Sequence, residues 1–363
     1  MPSDPALRAG AILEIDLGAI VANWRMLAAK AVPAACAAVV KANGYGLGAT
    51  EVAGALLAAG CRRFYVATLD EGIALRAALG AGPEIAVFNG PLPGSAKDFA
   101  AARLIPVLND PGQVESWEKL TAGDRGSAPA IHVDTGLNRL GLSLAEFDAL
   151  VARLERIGID TLVSHLACAE TPGHALNAAQ RERFLAARRR LPGIRASLAA
   201  SSGIFLGADF HFDEVRPGAA LYGVNPCPGQ PNPMRAVARL SAKIVQLRKI
   251  DSGESVGYGA AHVMDGPGLL ATAAIGYADG WPRSLSHRGC GWIAGKRIPL
   301  LGRVSMDLAT FDVSAVDPVE LAPGATIELI GDRYGVDDAA ADAGTIGYEI
   351  LTALGSRYHR VYR

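Results

Sequence analysis

Residues 39–48 read Val39-Val40-Lys41-Ala42-Asn43-Gly44-Tyr45-Gly46-Leu47-Gly48, an apolar run that stops at a lysine and passes directly into a glycine-rich loop. The run over residues 34–40 is short and ends in β-branched residues, which predicts a buried strand rather than a helix. Lys41 then lies at the carboxyl end of that strand. Burial among apolar neighbours lowers the pKa of a lysine and makes it a nucleophile near neutral pH. From this segment alone, a lysine that extends to solvent is the alternative.

Strand-like and helix-like segments alternate along residues 34–225, which predicts βα units on a parallel sheet. Helices are predicted over residues 50–59, 144–157 and 177–191. Eight units of this kind predict an α/β fold whose leading architecture is a (β/α)8 TIM-type barrel. The eight predicted strands centre near Ala38, Tyr65, Ala86, Pro106, His132, Val163, Leu198 and Val215.

The alternation ends at residues 225–233, where four prolines lie within nine residues. Proline neither continues a helix nor donates to a sheet, so this segment predicts a domain boundary. Short strands with turn signals follow, and a helix is expected around residues 348–354. We therefore predict a barrel domain over residues 1–233 and a smaller, C-terminal all-β domain over residues 234–363. The later strands are predicted at 242–249, 268–275, 297–304 and 325–330.

Composition excludes several classes of function. The formal net charge of -1 gives no electrostatic footprint for nucleic acid. No apolar stretch approaches the roughly 20 residues of a membrane-spanning helix, and residues 1–10 lack the apolar core of a signal peptide. No histidine or cysteine spacing indicates a metal site. Widely spaced thiols, without a Cys-x-x-Cys pair, are typical of a reducing cytoplasm. The cysteines are Cys36, Cys61, Cys168, Cys227 and Cys290.

A barrel enzyme carries its chemistry at the carboxyl ends of its strands. Arg139, His165 and Arg216 each follow a predicted strand, so they are expected at the same rim as Lys41. Phosphates in such barrels are commonly held by the loops after strands seven and eight. Ser202 offers a hydroxyl in the first of these loops, and Gly218 lets backbone N–H groups approach an anion in the second.

The segment Val40-Lys41-Ala42-Asn43-Gly44-Tyr45-Gly46-Leu47-Gly48 resembles the pyridoxal-phosphate lysine signature of alanine racemases, with Gly44 and Leu47 as departures. The resemblance covers nearly the whole chain and implies a fold-type III, pyridoxal 5'-phosphate-dependent isomerase. Further motifs occur in the family's order at 133–141, 215–223, 256–259, 275–283 and 302–307.

The resemblance implies two catalytic bases on opposite faces of the substrate. Lys41 would bind the cofactor covalently and act as one base, and Tyr258 would act as the other. Tyr258 would come from the partner subunit, so a homodimer with shared active sites is expected. Arg216 would contact the pyridine nitrogen, with His165 positioning it. Arg139 would lie near the cofactor's phenolic oxygen and the substrate carboxylate.

Further residues match the family's binding positions. The phosphate would be held by Tyr45, Ser202, the backbone of Gly218 and Ala219, and Tyr348. The main-chain N–H of Met306 would bind the substrate carboxylate, and Asp307 would support that loop. The entrance to the site would be formed by Glu170, Tyr277, Arg283, Arg303 and Ile346, where the family usually has aspartate at the position of Glu170.

His132 is the most consequential departure from the family. Many members carry there a lysine that is modified to a carbamate and orients the arginine equivalent to Arg139. Histidine forms no such stable carbamate. We therefore expect a small anion such as chloride, or a water molecule, beside Arg139, or an Arg139 that is held less firmly.

Four other classes of protein share some of these features with alanine racemases. Gly44, Gly46 and Gly48 weakly suggest a dinucleotide loop, without a clear βαβ context for the acidic residue that such a site needs. A non-catalytic pyridoxal-phosphate carrier would lack the β domain. Amino-acid decarboxylases typically present an acidic residue where Arg216 stands. A serine or broad-specificity racemase remains open. We predict a cytoplasmic enzyme that interconverts L-alanine and D-alanine and supplies D-alanine for bacterial peptidoglycan.

Overall fold

The computed structural model describes residues 4–120 and 126–363. Within these ranges the chain forms two compact units. One unit lies within Ile20–Arg235, and the other joins residues 4–19 to Ala236–Arg363. No helix in the described ranges is long and apolar enough to cross a membrane.

The first unit is built on parallel strands, and its first strand is interrupted at Ala37. Seven strands pair in sequential order. The eighth pairs in parallel with Ala35–Cys36, and a parallel bridge joins Ala200 to Arg216, so the sheet closes. The predicted (β/α)8 barrel is confirmed. In chain order the strands are Ala35–Cys36 with Ala38–Val39, Arg63–Val66, Glu84–Val87, Ile105–Leu108, Ala130–His132, Thr161–Val163, Arg195–Ser197 and Glu214–Val215.

Helices precede and separate the barrel strands. Two of them begin with a capping box, in which Thr68 pairs with Glu71 and Ser143 with Glu146. After the last two strands only short 3-10 turns follow, at Ser202–Leu206, Ala208–Phe210 and Ala219–Tyr222. The helices are Leu17–Ala31, Ala49–Ala58, Leu69–Leu79, Ala96–Ala101, Pro111–Glu118, Leu144–Ile157 and Ala175–Arg190.

The second unit contains a mainly antiparallel eight-stranded sheet. Its longest strand, Ala238–Ile250, lies between Ala11–Ile15 on one edge and Thr326–Ile330 on the other, and its later residues pair with Gly268–Ala273. The predicted all-β domain is confirmed as the dominant structure, although two helices, Val336–Ala343 and Gly347–Ala353, precede its last strand. The other strands are Ser255–Val256, His262–Val263, Cys290–Ile293, Lys296–Leu301, Ala309–Asp312 and His359–Tyr362, and a short helix covers Pro5–Arg8.

The division into units differs from the predicted domains at the amino terminus. Strand Ala11–Ile15 pairs with Ala238–Ile250 on one side and with His359–Tyr362 on the other. Leu13 and Ile15 are fully buried, so the apolar side chains of this strand belong to the core of the second unit. Residues 4–19 therefore join the C-terminal sheet, whereas the prediction placed them in the barrel domain. The reason is long-range strand pairing, which local patterns do not encode.

Candidate active site

Lys41 directly follows the first barrel strand and is half-buried. Its Nζ lies 5.8 Å from the centroid of the Phe88 ring. Burial lowers the pKa of Lys41, and the positive charge of Arg139 lowers it further, while Glu71 acts in the opposite direction. A lowered pKa increases the fraction of neutral amine, the form that attacks a carbonyl. Lys41 is therefore chemically suited to covalent bonding with an aldehyde.

The loop after Lys41 turns sharply and carries Tyr45 towards the eighth strand. Tyr45 stacks on Tyr222 with ring centroids 4.6 Å apart, and the Tyr222 hydroxyl donates to the Val39 carbonyl. A Cβ on Gly218 would lie 2.3 Å from the Tyr45 hydroxyl oxygen. Glycine is therefore required at 218 for this phenol to occupy its place. The structure thus brings together Tyr45 and Gly218, two of the residues expected at the phosphate.

Arg216 follows the eighth strand and is only 2% exposed. Its Nη1 donates to the hydroxyl of Ser197, and its Nη2 donates to the carbonyl of Ser164 at 2.6 Å. Its guanidinium carbon also lies 5.9 Å from the centroid of the Tyr65 ring. Within the described part of the chain, these hydrogen bonds involve two of the three guanidinium nitrogens. The Nε–H group has no hydrogen bond to these residues and can donate to a ligand.

His132 and His165 are held neutral beside Arg216. Burial and the Arg216 charge lower the pKa of His132 to about 4 and that of His165 to about 3. Among the described residues, the hydrogen bonds of Arg216 go to the two serines and none goes to His165. His165 lies near Arg216, and its role in positioning that arginine stays a prediction.

The proton of His132 can be assigned from its neighbour Asn109. Asn109 donates through Nδ2 to the carbonyls of Phe88 and Val107, which fixes its Oδ1 as an acceptor. Oδ1 lies 2.9 Å from Nδ1 of His132, so Nδ1 carries the proton. The position where many relatives have a carbamylated lysine is therefore occupied by a neutral imidazole.

Two adjacent serines shape the loop after the seventh strand. Ser202 is 7% exposed, and its hydroxyl has no hydrogen bond within the described ranges, so it is available to an anion. The Ser201 hydroxyl accepts from the backbone N–H groups of Gly218 at 3.0 Å and Ala220 at 3.2 Å. Ala219, between them, begins the buried 3-10 turn. Sequence reasoning singled out Ser202 and missed Ser201, although their adjacency was the available signal.

Arg139 and Glu170 lie on exposed loops of the same unit. Arg139 follows the fifth strand and acts electrostatically on Lys41 and on both histidines. Asp134 accepts hydrogen bonds from the backbone of Gly136 and Leu137, which shapes the start of the Arg139 loop. Glu170 lies beyond the sixth strand. Its expected place at the entrance stays a prediction.

In the second unit, Tyr258 lies on a 3-10 turn between two glycines of positive φ, Gly257 at 75° and Gly259 at 71°. Its side chain is 71% exposed. A Cβ on Gly259 would lie 3.3 Å from the Arg303 guanidinium, so Arg303 packs against the Tyr258 turn. The phenol is therefore presented outwards on a rigid turn, beside one of the expected entrance residues.

The segments that carry Tyr277 and Met306 are joined through backbone hydrogen bonds. Tyr277 N–H donates to the Ser305 carbonyl at 3.1 Å, and Ala278 N–H donates to the Met306 carbonyl at 2.9 Å. Asp307 accepts from Arg357 at 2.8 Å, which fits its expected supporting role. Of the other expected residues in this unit, Arg283 begins a 3-10 turn, while Ile346 and Tyr348 lie at the start of the last helix.

The closed parallel barrel, the desolvated lysine beside its first strand and the β-rich second unit define a two-unit barrel protein. Its candidate site lies at the carboxyl ends of the barrel strands, where an amine, a buried arginine and anion-binding groups converge.

Comparison with known families identifies the class more closely. Residues 15–226 match the family Alanine racemase, N-terminal domain, and residues 237–362 match Alanine racemase, C-terminal domain. The chain belongs to the alanine racemase family, a family of isomerase enzymes.

Individual relatives match over almost their full lengths. Alanine racemase of Rhodospirillum rubrum is 51% identical over 360 residues, which cover 98% of this chain and 96% of the relative. A Mesorhizobium japonicum protein named alanine racemase, catabolic, is 52% identical over 359 residues, covering 98% and 93%.

Solved structures agree with the family assignment. The crystal structure of alanine racemase from Bartonella henselae with covalently bound pyridoxal phosphate superposes with a TM-score of 0.93 at 42% identity, covering 98% of this chain and 100% of the other. The biosynthetic alanine racemase from Pseudomonas aeruginosa gives a TM-score of 0.90 at 33% identity, covering 98% and 99%.

Proposed function

We propose that this chain interconverts L-alanine and D-alanine by a two-base mechanism with pyridoxal 5'-phosphate. The observation that carries the proposal is the position of Lys41: a half-buried amine of lowered pKa, at the carboxyl end of a barrel strand. Its partial burial and lowered pKa favour covalent attachment of an aldehyde cofactor over a surface role. Membership of the alanine racemase family supports the substrate.

The described residues fit the proposed cofactor. Lys41 would bond its aldehyde carbon, and Arg216 would donate from Nε to its pyridine nitrogen. The Ser202 hydroxyl, the Tyr45 phenol and the backbone of Gly218 and Ala219 would receive its phosphate. Tyr348 would complete the phosphate site. When bound, this cofactor supplies an electron sink for the α-carbon of the substrate.

Arg216 would restrict the chemistry to racemisation. An arginine stays protonated and only donates, so the pyridine nitrogen beside it would remain unprotonated. Arg216 thereby limits the electron withdrawal that favours decarboxylation and transamination. A decarboxylase would place an acidic group at the position of Arg216, whereas the buried carboxylate two residues earlier, Glu214, accepts from the Tyr65 hydroxyl at 2.6 Å.

Inversion at one carbon requires proton transfer on both faces. The Lys41 amine would serve one face and the Tyr258 phenol the other, with Arg139 and the Met306 N–H holding the substrate carboxylate. We propose that Tyr258 is contributed by a second copy of the chain. The exposure of Tyr258, Met306 and Ile346, at 71%, 54% and 59%, supports a surface that another subunit covers. Glu170, Tyr277, Arg283, Arg303 and Ile346 would border the entrance.

For the metabolic role we propose supply of D-alanine for peptidoglycan in the cytoplasm. Five free cysteines are consistent with a reducing compartment. Degradation of D-alanine is a second candidate, favoured by the relative from Mesorhizobium japonicum that is named catabolic. Growth of a deletion strain with and without D-alanine separates the two roles, because only a biosynthetic enzyme leaves the deletion strain dependent on D-alanine.

The biochemical proposal is tested with purified protein. Borohydride reduction should fix the cofactor permanently to Lys41, located by peptide mass analysis. Racemisation over a panel of L-amino acids should be fastest for alanine, which separates this proposal from a serine or broad-specificity racemase. Tyr258→Phe should slow deuterium incorporation from L-alanine far more than from D-alanine, since each base serves one face. Equal slowing for both enantiomers contradicts the two-base assignment.

A further inference from the structure

The backbone directly after Lys41 is left-handed over several residues. Ala42, Asn43, Gly44 and Tyr45 have φ values of 52°, 53°, 62° and 53°. This conformation costs an ordinary L-residue about 1–2 kcal/mol, and glycine alone adopts it freely. Such a run persists only where surrounding contacts hold it, and strain of this kind concentrates at functional sites.

One carboxylate holds the first left-handed residue. Glu71 Oε1 accepts from the N–H of Ala42 at 2.7 Å, and Glu71 Oε2 accepts from the N–H of Ala67 at 2.7 Å. Ala67 immediately follows the second barrel strand, Arg63–Val66. The residue after Lys41 is thus tied to the end of the neighbouring strand through two hydrogen bonds to a charged acceptor, which are stronger than neutral ones.

Helix capping does not account for the contact with Ala42. Glu71 closes the capping box of helix Leu69–Leu79 through Oε2, which also accepts from the Thr68 N–H at 3.2 Å. Glu146 performs the same task at Ser143 with its Oε2. In the described part of the chain, the hydrogen bonds of the Glu146 side chain all stay within its capping box. The hydrogen bond from Ala42 to Oε1 of Glu71 is therefore not part of the capping box.

We propose that Glu71 is a positioning residue for Lys41, holding the left-handed turn so that the amine points into the site before the cofactor arrives. The inference rests on the proposed function, in which Lys41 bonds the cofactor. Without the Ala42 contact, the turn can relax towards ordinary backbone conformations, and part of the binding free energy is then used to restore it. The negative charge of Glu71 also counteracts the effect of burial on Lys41.

The test compares Glu71→Ala with Glu146→Ala, which removes the matching capping box without touching Lys41. The measurements are the first-order rate of cofactor release from the holoenzyme, the absorption band of the bound cofactor and the thermal unfolding midpoint. Both variants lose a capping box and the stability it contributes, and Glu71→Ala also loses the hydrogen bonds from Ala42 and Ala67. Only Glu71→Ala should release the cofactor faster, by about tenfold, the factor expected for one hydrogen bond to a charged group.

Two further variants separate geometry from charge. Glu71→Asp keeps the charge but is one methylene too short to join Ala42 to Ala67, so it should release the cofactor as fast as Glu71→Ala. Glu71→Gln keeps a carbonyl acceptor of full length and should release it more slowly than either. If Glu71→Ala does not fold, the other two variants test the proposal, because Glu71→Asp should release the cofactor faster than Glu71→Gln.

Equal release rates in Glu71→Ala and Glu146→Ala would overturn the inference, as would a wild-type rate in Glu71→Asp. Both results presuppose a wild-type protein that binds the cofactor on Lys41. A wild-type protein without that bond refutes the proposed function instead, so the two failures are distinguishable.

Discussion

At the scale of single residues, the candidate site of the first unit contains several positively charged side chains beside buried histidines. Lys41, Arg139 and Arg216 all act electrostatically on His165, and Arg139 also acts on Lys41. Such a cluster is stable only where some members give up their protons or find acceptors. Arg216 has its two serine acceptors, Lys41 has a lowered pKa, and the imidazoles are neutral.

Lys41→Ala should abolish both the absorption band of the bound cofactor and racemisation, because the covalent attachment point is lost. Lys30→Ala is the matched control. The Lys30 ammonium also lies over an aromatic ring, 5.0 Å from the centroid of Phe205, but it is not at a strand end on the barrel rim. This control should retain both properties. An absorption band of normal intensity in Lys41→Ala would show that another amine binds the cofactor.

His132 should make the fold sensitive to acid. Its pKa is about 4 in the folded chain against an ordinary value of 6.5, so the unfolded chain binds more protons as the pH falls below about 6.5. Folding stability therefore decreases from that pH towards pH 4, by at most about 3 kcal/mol for this residue. His132→Gln removes the titration and should flatten the pH dependence of the urea midpoint between pH 7 and about 4.5. His165 titrates in the same direction, so part of the slope remains. Identical slopes in variant and wild type would contradict the assignment.

At the scale of elements, the loops after barrel strands one, seven and eight fit together through a glycine. Gly218→Ala should displace the Tyr45 phenol, since the new Cβ would lie 2.3 Å from its oxygen. We expect a loss of about 1–3 kcal/mol in stability from overpacking and weaker cofactor binding. Gly54→Ala is the control, because it lies in helix Ala49–Ala58 with no atom within 4 Å of the new Cβ.

A second variant identifies the clash itself. In Gly218→Ala combined with Tyr45→Phe, the hydroxyl is absent, so the added methyl group should cost less stability than it does beside Tyr45. Measured as a double-mutant cycle in urea, the two substitutions should show favourable coupling. Strict additivity would indicate that the loops move independently.

Local patterns were sufficient for the elements that have strong local signals. Helix Leu144–Ile157 agrees with its prediction to the residue, and the structure shows strong local signals at both ends: a capping box of Ser143 and Glu146 and a left-handed Gly158. The left-handed turn after Lys41 could not be predicted, since the carboxylate that accepts from Ala42 belongs to Glu71, 29 positions further along the chain. Likewise, which of Ser201 and Ser202 turns towards the Gly218 loop is decided by the turn itself. The motif predicts which residues form the site, and tertiary contacts determine how those residues are held.

At the scale of the whole molecule, the residues expected to act together lie in two compact units. Lys41 and Arg216 belong to one unit, whereas Tyr258 and Met306 belong to the other. The large exposed side chains of the second unit have the character of a surface that is buried on association. A site shared between two copies of the chain would explain why the phenol of Tyr258, the proposed second base, is presented outwards.

Mixing two inactive variants tests this arrangement. Lys41→Ala and Tyr258→Phe each remove one base, so a hybrid dimer should contain one intact site and one site lacking both bases. Random assortment makes half of the dimers hybrid, and we therefore expect about a quarter of wild-type activity per chain. In the control, Lys41→Ala is mixed with the double variant Lys41→Ala/Tyr258→Phe. Every site then lacks Lys41, and no activity should return. Hybrids detected by native mass spectrometry without recovered activity would refute the shared site, because each base would then act within its own chain.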